Sequence, residues 1–317
     1  MNILSLFDGI SCGYLALQRA DIKIDRYFAS EIETASINVA KSNFPDIIEI
    51  GDVTKLKGID LPNIDILIGG SPCQGFSFAG KQLNFNDSRS KLFFEFVRLL
   101  NEVKPTYFFL ENVKMKKEYR DVISSYLGVQ PIEINSSLVS AQHRRRLYWT
   151  NIPNVTLPED RNISINDIIE DNVGGIPVIF NENGICTLRA MNGKSVILES
   201  SIKPPYTIYE SRTDEGKKQR RLLKQQTGRD TTPRSANHKE YRINKKDKCN
   251  CIVTIKSELD CIVDRQYNYR FLTITEMERL QTLPDGYTNY ASETQRRKML
   301  GNGWTVDVIA HILSHIK

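Results

Sequence analysis

The stretch that decides the fold is Ile64-Asp65-Ile66-Leu67-Ile68-Gly69-Gly70-Ser71-Pro72-Cys73-Gln74-Gly75-Phe76-Ser77. Its apolar first part predicts a strand that is buried on both faces and ends at two glycines. Cys73 follows a proline on the loop that leaves this strand, where a cysteine kept only for packing is not expected. The sequence therefore predicts an exposed, reactive thiol at the end of a central strand.

Similar apolar runs occur on both sides of this stretch and alternate with amphipathic segments. We predict strands at residues 3–7, 26–29 and 106–110 and a helix from Lys91 to Leu100, whose apolar residues recur at helical spacing. Two further helices are predicted at residues 274–280 and 305–316. This alternation predicts an α/β protein with a doubly wound sheet, in which ligands bind at the carboxyl ends of the strands.

The pattern changes after Pro158, where only short strands are predicted, at residues 178–180, 195–198 and 251–255. Between Lys203 and Lys256 there are fifteen Lys and Arg residues but only six acidic residues. A solvated surface is one interpretation of this charge; a surface that binds phosphates is the other. We predict a catalytic domain formed by residues 1–157 and 266–317, with a smaller domain inserted at 158–265.

Composition excludes several classes of protein. The 317 residues are 40% hydrophobic and 26% charged, without a run long enough to span a membrane or a visible signal peptide, so we expect a soluble intracellular protein. The six cysteines are too few and scattered for a disulfide framework. Cys249 and Cys251 are too closely spaced for a usual zinc site, and we predict no metal. None of the four histidines lies in the context of a cysteine protease.

Acidic residues follow several predicted strands. The turn Phe7-Asp8-Gly9-Ile10 would let a ligand approach the backbone closely. Glu31, 23 residues beyond Asp8, lies where nucleotide-binding sheets present a carboxylate to a ribose. Together they favour a ligand that contains adenosine. Asp52 follows another strand and could contact the adenine or cap a helix. Glu111 ends the strand predicted at 106–110.

These motifs, in this order, resemble the DNA (cytosine-5) methyltransferases over nearly the whole chain outside the basic region. The matching motifs are Leu6-Phe7-Asp8-Gly9, Glu31, Asp52, Pro72-Cys73-Gln74, Glu111-Asn112-Val113, Gln142 to Arg146, Arg270 to Gln281, and Gly301 to Val306. The chain length is that of the bacterial or phage type, with some similarity to the eukaryotic de novo branch. Ser11 and Cys12 stand where the family commonly has glycines.

The resemblance implies the methyltransferase fold, an inserted target-recognition domain and transfer of a methyl group from S-adenosylmethionine to carbon 5 of cytosine in a specific sequence of double-stranded DNA. The Cys73 thiolate would add to carbon 6 of a flipped-out base. The other catalytic residues implied are Glu111, which would hold the base edge, Arg144 and Arg146, and Gln142 as their support. The cofactor-binding residues implied are Phe7, Asp8, Gly9, Ile10, Glu31, Ile32, Asp52, Val53, Pro72, Leu92, Asn302 and Thr305.

The resemblance also implies the partners and location. We expect a monomer that binds duplex DNA in the cytoplasm of a bacterial or phage-infected cell, with a cognate restriction endonuclease as a further partner. One alternative is a transfer-RNA cytosine-5 methyltransferase on the same scaffold, although Gly75-Phe76-Ser77 departs from the Pro-Phe-Thr typical of that subgroup. The other alternative is a catalytically silent paralogue that binds DNA.

Overall fold

The structure is a computed structural model. It describes residues 1–71, 91–179, 181, 183, 185–189, 195–199, 204–212, 218, 221–222, 225, 239–244, 248–252 and 261–316. The predicted catalytic loop that begins at Pro72 and Cys73 lies outside the described residues, as does much of the basic region.

A seven-stranded sheet forms the centre of the fold. The strands of the first half are, in chain order, β1 (Asn2–Leu6), β2 (Arg26–Ser30), β3 (Ile48–Glu49), β4 (Ile66–Gly69), β5 (Tyr107–Val113), β6 (Ile132–Asn135), β7 (Gln142–His143) and β8 (Arg145–Thr150). All except β7 belong to this sheet, in the order β3-β2-β1-β4-β5-β8-β6. Strands β1 to β5 are parallel, whereas β8 runs antiparallel between β5 and β6. The predicted doubly wound mixed sheet is confirmed.

Helices cover both faces of the sheet. They are α1 (Cys12–Arg19), α2 (Thr34–Asn43), α3 (Lys91–Val103), α4 (Lys117–Leu127), α5 (Ile274–Leu280), α6 (Glu293–Asn302) and α7 (Val306–Leu313). Because side chains alternate along a strand, Ile3 of β1 packs in one core with α1, α2 and α7, while Leu4 packs in another with α3 and α4. In α3, Phe93 and Phe96 are fully buried at the spacing of one helical turn.

The order of strands places a crevice at one edge of this sheet. The connections run outward in one direction from β1 to β3 and in the other from β4 to β5, so the direction reverses between β1 and β4. The loops that follow these two strands separate there, and ligands of doubly wound sheets bind at such a point. The residues after β1 and β4 are Phe7 and Gly70.

The second half contains smaller sheets. Its strands are β9 (Ile176–Pro177), β10 (Ile185–Arg189), β11 (Ser195–Glu199), β12 (Tyr206–Arg212), β13 (Lys239–Asn244), β14 (Cys249–Asn250), β15 (Cys261–Val263) and β16 (Asn268–Phe271). Five of them form a sheet in the order β13-β12-β15-β16-β9, β10 pairs with β11, and β14 pairs with β7. The division into a catalytic and an inserted domain stays a prediction.

Two of the predicted short strands fall partly outside the described residues. Of the strand predicted at 178–180, residue 180 is one of these. Pairing with β16 is found just before it, at Ile176–Pro177, Val178 N donates to Tyr267 O at 2.8 Å, and Ile179 is exposed. Of the strand predicted at 251–255, residues 253–255 lie outside the described residues, and Cys249–Asn250, just before it, pair with β7. Within the part of the chain that the structure describes, no helix has the length and apolar character needed to cross a bilayer.

Candidate active site

A cavity of about 550 Å³ opens at the carboxyl edge of the main sheet, between the ends of β1, β2, β4 and β5. Its walls include the turn after β1 (Phe7, Asp8, Gly9, Ile10), Glu31, Gly70, Ser71, Glu111, Asn112, Val113, Arg144, Arg146, Cys251, Ile252, Met299, Gly301, Asn302, Gly303 and Trp304. Cavities of this size hold small molecules and cofactors. The sheet edge predicted from the sequence is thus the site of the cavity.

Asp8 fixes the turn that follows β1. Its carboxylate accepts hydrogen bonds from the hydroxyls of Ser5 (2.5 Å), Tyr27 (2.6 Å) and Ser11. Burial raises the pKa of Asp8, and these three hydrogen bonds oppose that rise. Gly9, with a φ of 64°, takes the left-handed conformation that this turn requires.

Glu31 joins the ends of β1 and β2. One carboxylate oxygen accepts from the backbone N–H of Gly9 at 2.9 Å, and the other accepts from those of Ile32 (2.7 Å) and Glu33 (2.9 Å). Three backbone donors therefore hold an acidic side chain at the cavity wall. Ile32 is 73% exposed beside it.

Glu111 and Arg146 form an ion pair at the cavity wall. Glu111 lies near the end of β5, opposite Tyr148 of β8, and Arg146 lies two residues before Tyr148. Arg146 Nε is 3.0 Å from Glu111 Oε1, and Glu111 is 9% exposed. Burial opposes the charge of Arg146, but Glu111 and then Cys251 hold the pKa of Arg146 above its usual value. Burial is the main cause that raises the pKa of the Tyr148 phenol, and the charge of Glu111 raises it further.

Arg144 connects the cavity wall to the turn that follows α6. Its guanidinium donates to the carbonyls of Gly301 (3.1 Å) and Gly303 (2.8 Å) and to the sulfur of Cys251 (3.1 Å). The residue is only 3% exposed. The structure thus excludes a solvated surface position for Arg144.

Gln142 and Thr305 belong to a buried hydrogen-bond network behind the cavity rather than to its walls. Gln142 Nε2 donates to Leu280 O (2.6 Å) and Gln281 Oε1 (3.0 Å), and Thr305 Oγ1 donates to Gln281 Oε1 (2.8 Å). Gln281 Nε2 in turn donates to Leu300 O and Gly303 O. The network holds the end of α6, which carries Asn302, and the residues that follow it.

The structure separates the predicted site residues into three groups. Those at the cavity are Phe7, Asp8, Gly9, Ile10, Glu31, Glu111, Arg144, Arg146 and Asn302. Those outside its lining are Ile32, Asp52, Val53, Leu92, Gln142 and Thr305. Pro72 and Cys73 lie outside the described residues. Asp52 takes the capping position considered from the sequence, since its side chain accepts from Thr54 N (3.0 Å) and Thr54 Oγ1 (2.8 Å).

Several cavity residues were not assigned from the sequence. Asn112 Nδ2 lies 3.3 Å from both oxygens of Ser71, the residue that precedes Pro72. Its place in the Glu-Asn-Val motif was the available signal. Gly70 has no room for a side chain, because a Cβ there would lie 2.9 Å from Trp304 Nε1 and 3.2 Å from Glu111 Oε2. The pair of glycines at the end of β4, Gly69 and Gly70, was the signal for this close approach.

Two thiols reach the cavity among its described residues, and neither was predicted there. Cys12 is buried, which raises its pKa to about 12, so it is a protonated thiol and a poor nucleophile. Cys251 contacts the two arginines described above. In the described part of the chain, no three Cys, His, Asp or Glu side chains are grouped so that they could bind a metal ion.

Sequence comparison places these residues in a known family. A family described as C-5 cytosine-specific DNA methylase matches residues 1–124 and 135–317. The chain belongs to this family. It is therefore a methyltransferase by family, as the order of its motifs predicted.

Individual relatives agree with this assignment. The type II methyltransferase M1.ScrFI of Lactococcus lactis subsp. cremoris is 29% identical over 325 residues, which span 97% of this chain and 76% of that protein. The type II methyltransferase M.NgoBV of Neisseria gonorrhoeae is 44% identical over 115 residues, but these are 36% of this chain and only 27% of that protein. The orphan methyltransferase M.Rho11sI of Bacillus phage rho11s is 40% identical over 116 residues, 23% of its length.

Solved structures share the fold. A protein described as a prophage-encoded DNA modification methyltransferase of E. coli has a TM-score of 0.64 and 21% identity, with 100% of this chain and 98% of that chain covered. The Dnmt2 methyltransferase of S. pombe has a TM-score of 0.61 and 17% identity, with 99% and 97% covered. At these identities the likeness concerns the fold alone.

Proposed function

We propose that the protein transfers a methyl group from S-adenosylmethionine to carbon 5 of cytosine in a specific sequence of double-stranded DNA. The observation that carries this proposal is the Glu111–Arg146 pair on the wall of a cavity that also contains Ser71. Ser71 directly precedes Pro72 and Cys73 in the chain. A nucleophile in the chain segment that follows Ser71 would therefore begin close to the Glu111 carboxyl and the Arg146 guanidinium, two groups that can hydrogen-bond to the edge of a pyrimidine.

The cavity residues fit the cofactor. S-adenosylmethionine supplies an electrophilic methyl group on a sulfonium sulfur. Glu31, held by three backbone donors, is the acceptor proposed for the ribose hydroxyls, and the exposed Ile32 is the apolar contact proposed for the adenine face. Gly9 leaves open space, since a Cβ built on it would meet nothing within 4 Å. Asp52 is proposed to accept from the adenine amino group while it caps the following turn.

The chemistry requires activation of the ring, because carbon 5 of cytosine is a poor nucleophile. We propose that the Cys73 thiolate forms a bond to carbon 6, so that the electrons of the 5,6 double bond become available at carbon 5. Carbon 5 then takes up the methyl group. Loss of the proton from carbon 5 restores the double bond and expels the Cys73 thiolate.

Glu111 and Arg146 are proposed to stabilise the base while Cys73 is attached. Addition of the thiolate places negative charge on the ring, towards N3 and O2. Glu111 would hold N3 and the exocyclic amine, and Arg146, fixed by Glu111, would face O2. Arg144 keeps the turn at Gly301 and Gly303 in place. It is therefore proposed as a positioning residue for the wall that contains Asn302.

The target cytosine must leave the duplex before it can enter the cavity, and this costs a few kcal/mol of stacking and pairing energy. The excess of Lys and Arg between Lys203 and Lys256 supports a DNA-facing surface in the predicted recognition domain. We propose that a monomer binds the duplex. One relative is named a type II methyltransferase and another an orphan methyltransferase. We therefore propose a cognate restriction endonuclease as a further partner on condition that a gene next to that of this protein encodes one.

The test is transfer of labelled methyl groups from S-adenosylmethionine to mixed-sequence duplex DNA and, separately, to total transfer RNA. Label on DNA supports the proposal, and bisulfite sequencing of the product then identifies the site. Label on RNA alone would replace it with the transfer-RNA methyltransferase. Absence of label on either, with DNA binding retained, would favour the silent paralogue.

A further inference from the structure

A short segment from the second half of the chain reaches the wall of the cavity. Residues 248–252 are remote in sequence from β7, yet β14 pairs with it in parallel, Cys249 opposite Gln142 and Asn250 opposite His143. Cys251 and Ile252, which follow β14, both line the cavity. This segment lies within residues 158–265, the part predicted to recognise DNA.

The segment is firmly attached where it meets the main fold. Cys249 N donates to Ala141 O at 2.7 Å, and Lys248 Nζ donates to Ser137 O at 2.6 Å. Cys249 and Ile252 are buried, at 1% and 2% exposure. The position of Cys251 between them is thus set by backbone pairing and packing on both sides.

The sulfur of Cys251 lies between the two arginines of the site. Arg144 Nη1 is 3.1 Å from it, and Arg146 Nη2 is 3.9 Å from it. The sulfur also lies 3.5 Å from the carbonyl oxygen of Ile252. Sulfur is a soft, weak acceptor, and in this place it can orient both guanidinium groups.

We propose that Cys251 is a positioning residue for Arg144 and Arg146, through which a segment of the predicted recognition domain holds both guanidinium groups in their productive orientation. Arg146 would then be fixed from two sides, by Glu111 at Nε and by Cys251 at Nη2. Arg144 would be fixed between Cys251 and the carbonyls of Gly301 and Gly303. This inference rests on the proposed function for its catalytic consequence, but the contacts themselves do not depend on it.

The first experiment compares Cys251→Ser, which keeps an acceptor, with Cys251→Val, which keeps the approximate volume but removes it. We expect kcat for methyl transfer to fall about tenfold in Cys251→Val and to stay within about threefold of wild type in Cys251→Ser, because a small misplacement of a catalytic group is costly. The KM for S-adenosylmethionine should not change. Cys261→Val, at a buried thiol of β15 outside the cavity lining, is the control and should keep the wild-type kcat.

The second experiment measures backbone hydrogen exchange of residues 142–146 and 301–304 without substrate. Faster exchange in Cys251→Val than in wild type, with Cys251→Ser unchanged, is the expected result. Equal exchange and equal kcat in all three proteins would overturn the inference, as would an equal loss in both variants. If wild type transfers no methyl group, the proposed function fails, and the exchange data alone decide whether Cys251 positions the arginines.

Discussion

Arg146 Nε lies 3.0 Å from Glu111 Oε1, and the two residues come from neighbouring antiparallel strands. Pairing of β5 with β8 sets this distance, so the two side chains are in place before a base enters the cavity. A preorganised carboxyl and guanidinium need little rearrangement in the transition state, which is the main source of electrostatic catalysis. We therefore propose two roles for Glu111, as the anchor of Arg146 and as the group that faces the base.

Glu111→Gln should lower kcat by about 10²- to 10³-fold, because it replaces the carboxyl group proposed to hold the base edge and removes the charge that pairs with Arg146. Initial rates of methyl transfer to duplex DNA measure this effect. Glu133→Gln on β6 is the control, since Glu133 pairs with exposed Lys114 outside the cavity lining. Equal rates for both variants would show that Glu111 has no part in the reaction.

Gly70→Ala should lower kcat/KM by about tenfold or more, since the new methyl group would press on Trp304 Nε1 and Glu111 Oε2. Gly174→Ala provides a matched control, because nothing lies within 4 Å of a Cβ at Gly174. Steady-state kinetics and thermal unfolding of both variants are the measurements. Unchanged kinetics in Gly70→Ala would mean that the close approach at β4 has no bearing on the site.

Gln281→Leu should lower the free energy of unfolding by about 2 kcal/mol. The substitution removes the side-chain amide that bonds to Gln142, Thr305 and Gly303, so that buried polar groups of these three residues lose a hydrogen bond. Urea denaturation measures the change. Gln18→Leu, on the exposed side of α1, makes the same substitution at the surface and should alter stability by less than about 0.5 kcal/mol. A similar small change at Gln281 would contradict the importance of the network.

Glu49 should make stability depend on pH. Burial, with a further contribution from Asp8, raises the pKa of Glu49 from 4.5 to about 7, and its Oε2 has no hydrogen-bond partner among the described residues. Because the folded state binds this proton more tightly than the unfolded state, the stabilisation is complete below about pH 4.5 and is lost as pH rises through about 7.

We therefore expect Glu49→Gln to gain stability relative to wild type as the pH rises from about 5 to about 8. Urea denaturation at both ends of this range measures the gain. The exposed Glu159→Gln should show no such trend. A gain that shrinks towards high pH would have the wrong sign and would refute the assignment.

Glu31→Gln should weaken the binding of S-adenosylhomocysteine by about tenfold or more. An amide nitrogen cannot accept the backbone N–H bonds that Glu31 now receives, and it offers the ribose one acceptor fewer. Isothermal titration calorimetry gives the affinity without requiring turnover. Asp46→Asn, at an exposed position outside the cavity lining, should bind as wild type does.

The sequence was sufficient for those parts of the site that follow from local patterns, such as apolar runs that form strands. Strand ends can be identified from apolar runs, and parallel strands bring their carboxyl ends to one edge, so Asp8, Glu31 and Glu111 were correctly placed together. The same reasoning could not distinguish a cavity wall from the layer behind it. Gln142, predicted as a supporting residue, and Thr305, predicted at the cofactor, both lie in the buried network, because side-chain direction there depends on tertiary packing. Their roles stay predictions.

Other features depend on contacts between remote segments. Cys251 meets Arg144 from a position 107 residues later in the chain, and no periodicity near either residue signals that encounter. Trp304 packs edge-on against Phe109 at 5.2 Å between ring centroids, also across a large separation. The bounds of β9 and β14 likewise depend on pairing partners that are remote in sequence, namely β16 and β7.

The most direct test of the account is a search for the covalent complex on DNA in which 5-fluorocytosine replaces cytosine. Fluorine cannot leave carbon 5 as a proton does, so the thiolate should remain attached after methyl transfer. We predict a denaturation-resistant complex in wild type, with S-adenosylmethionine present, joined through Cys73 and missing in Cys73→Ala. Attachment through Cys251 or another residue, or methyl transfer by Cys73→Ala, would contradict the account.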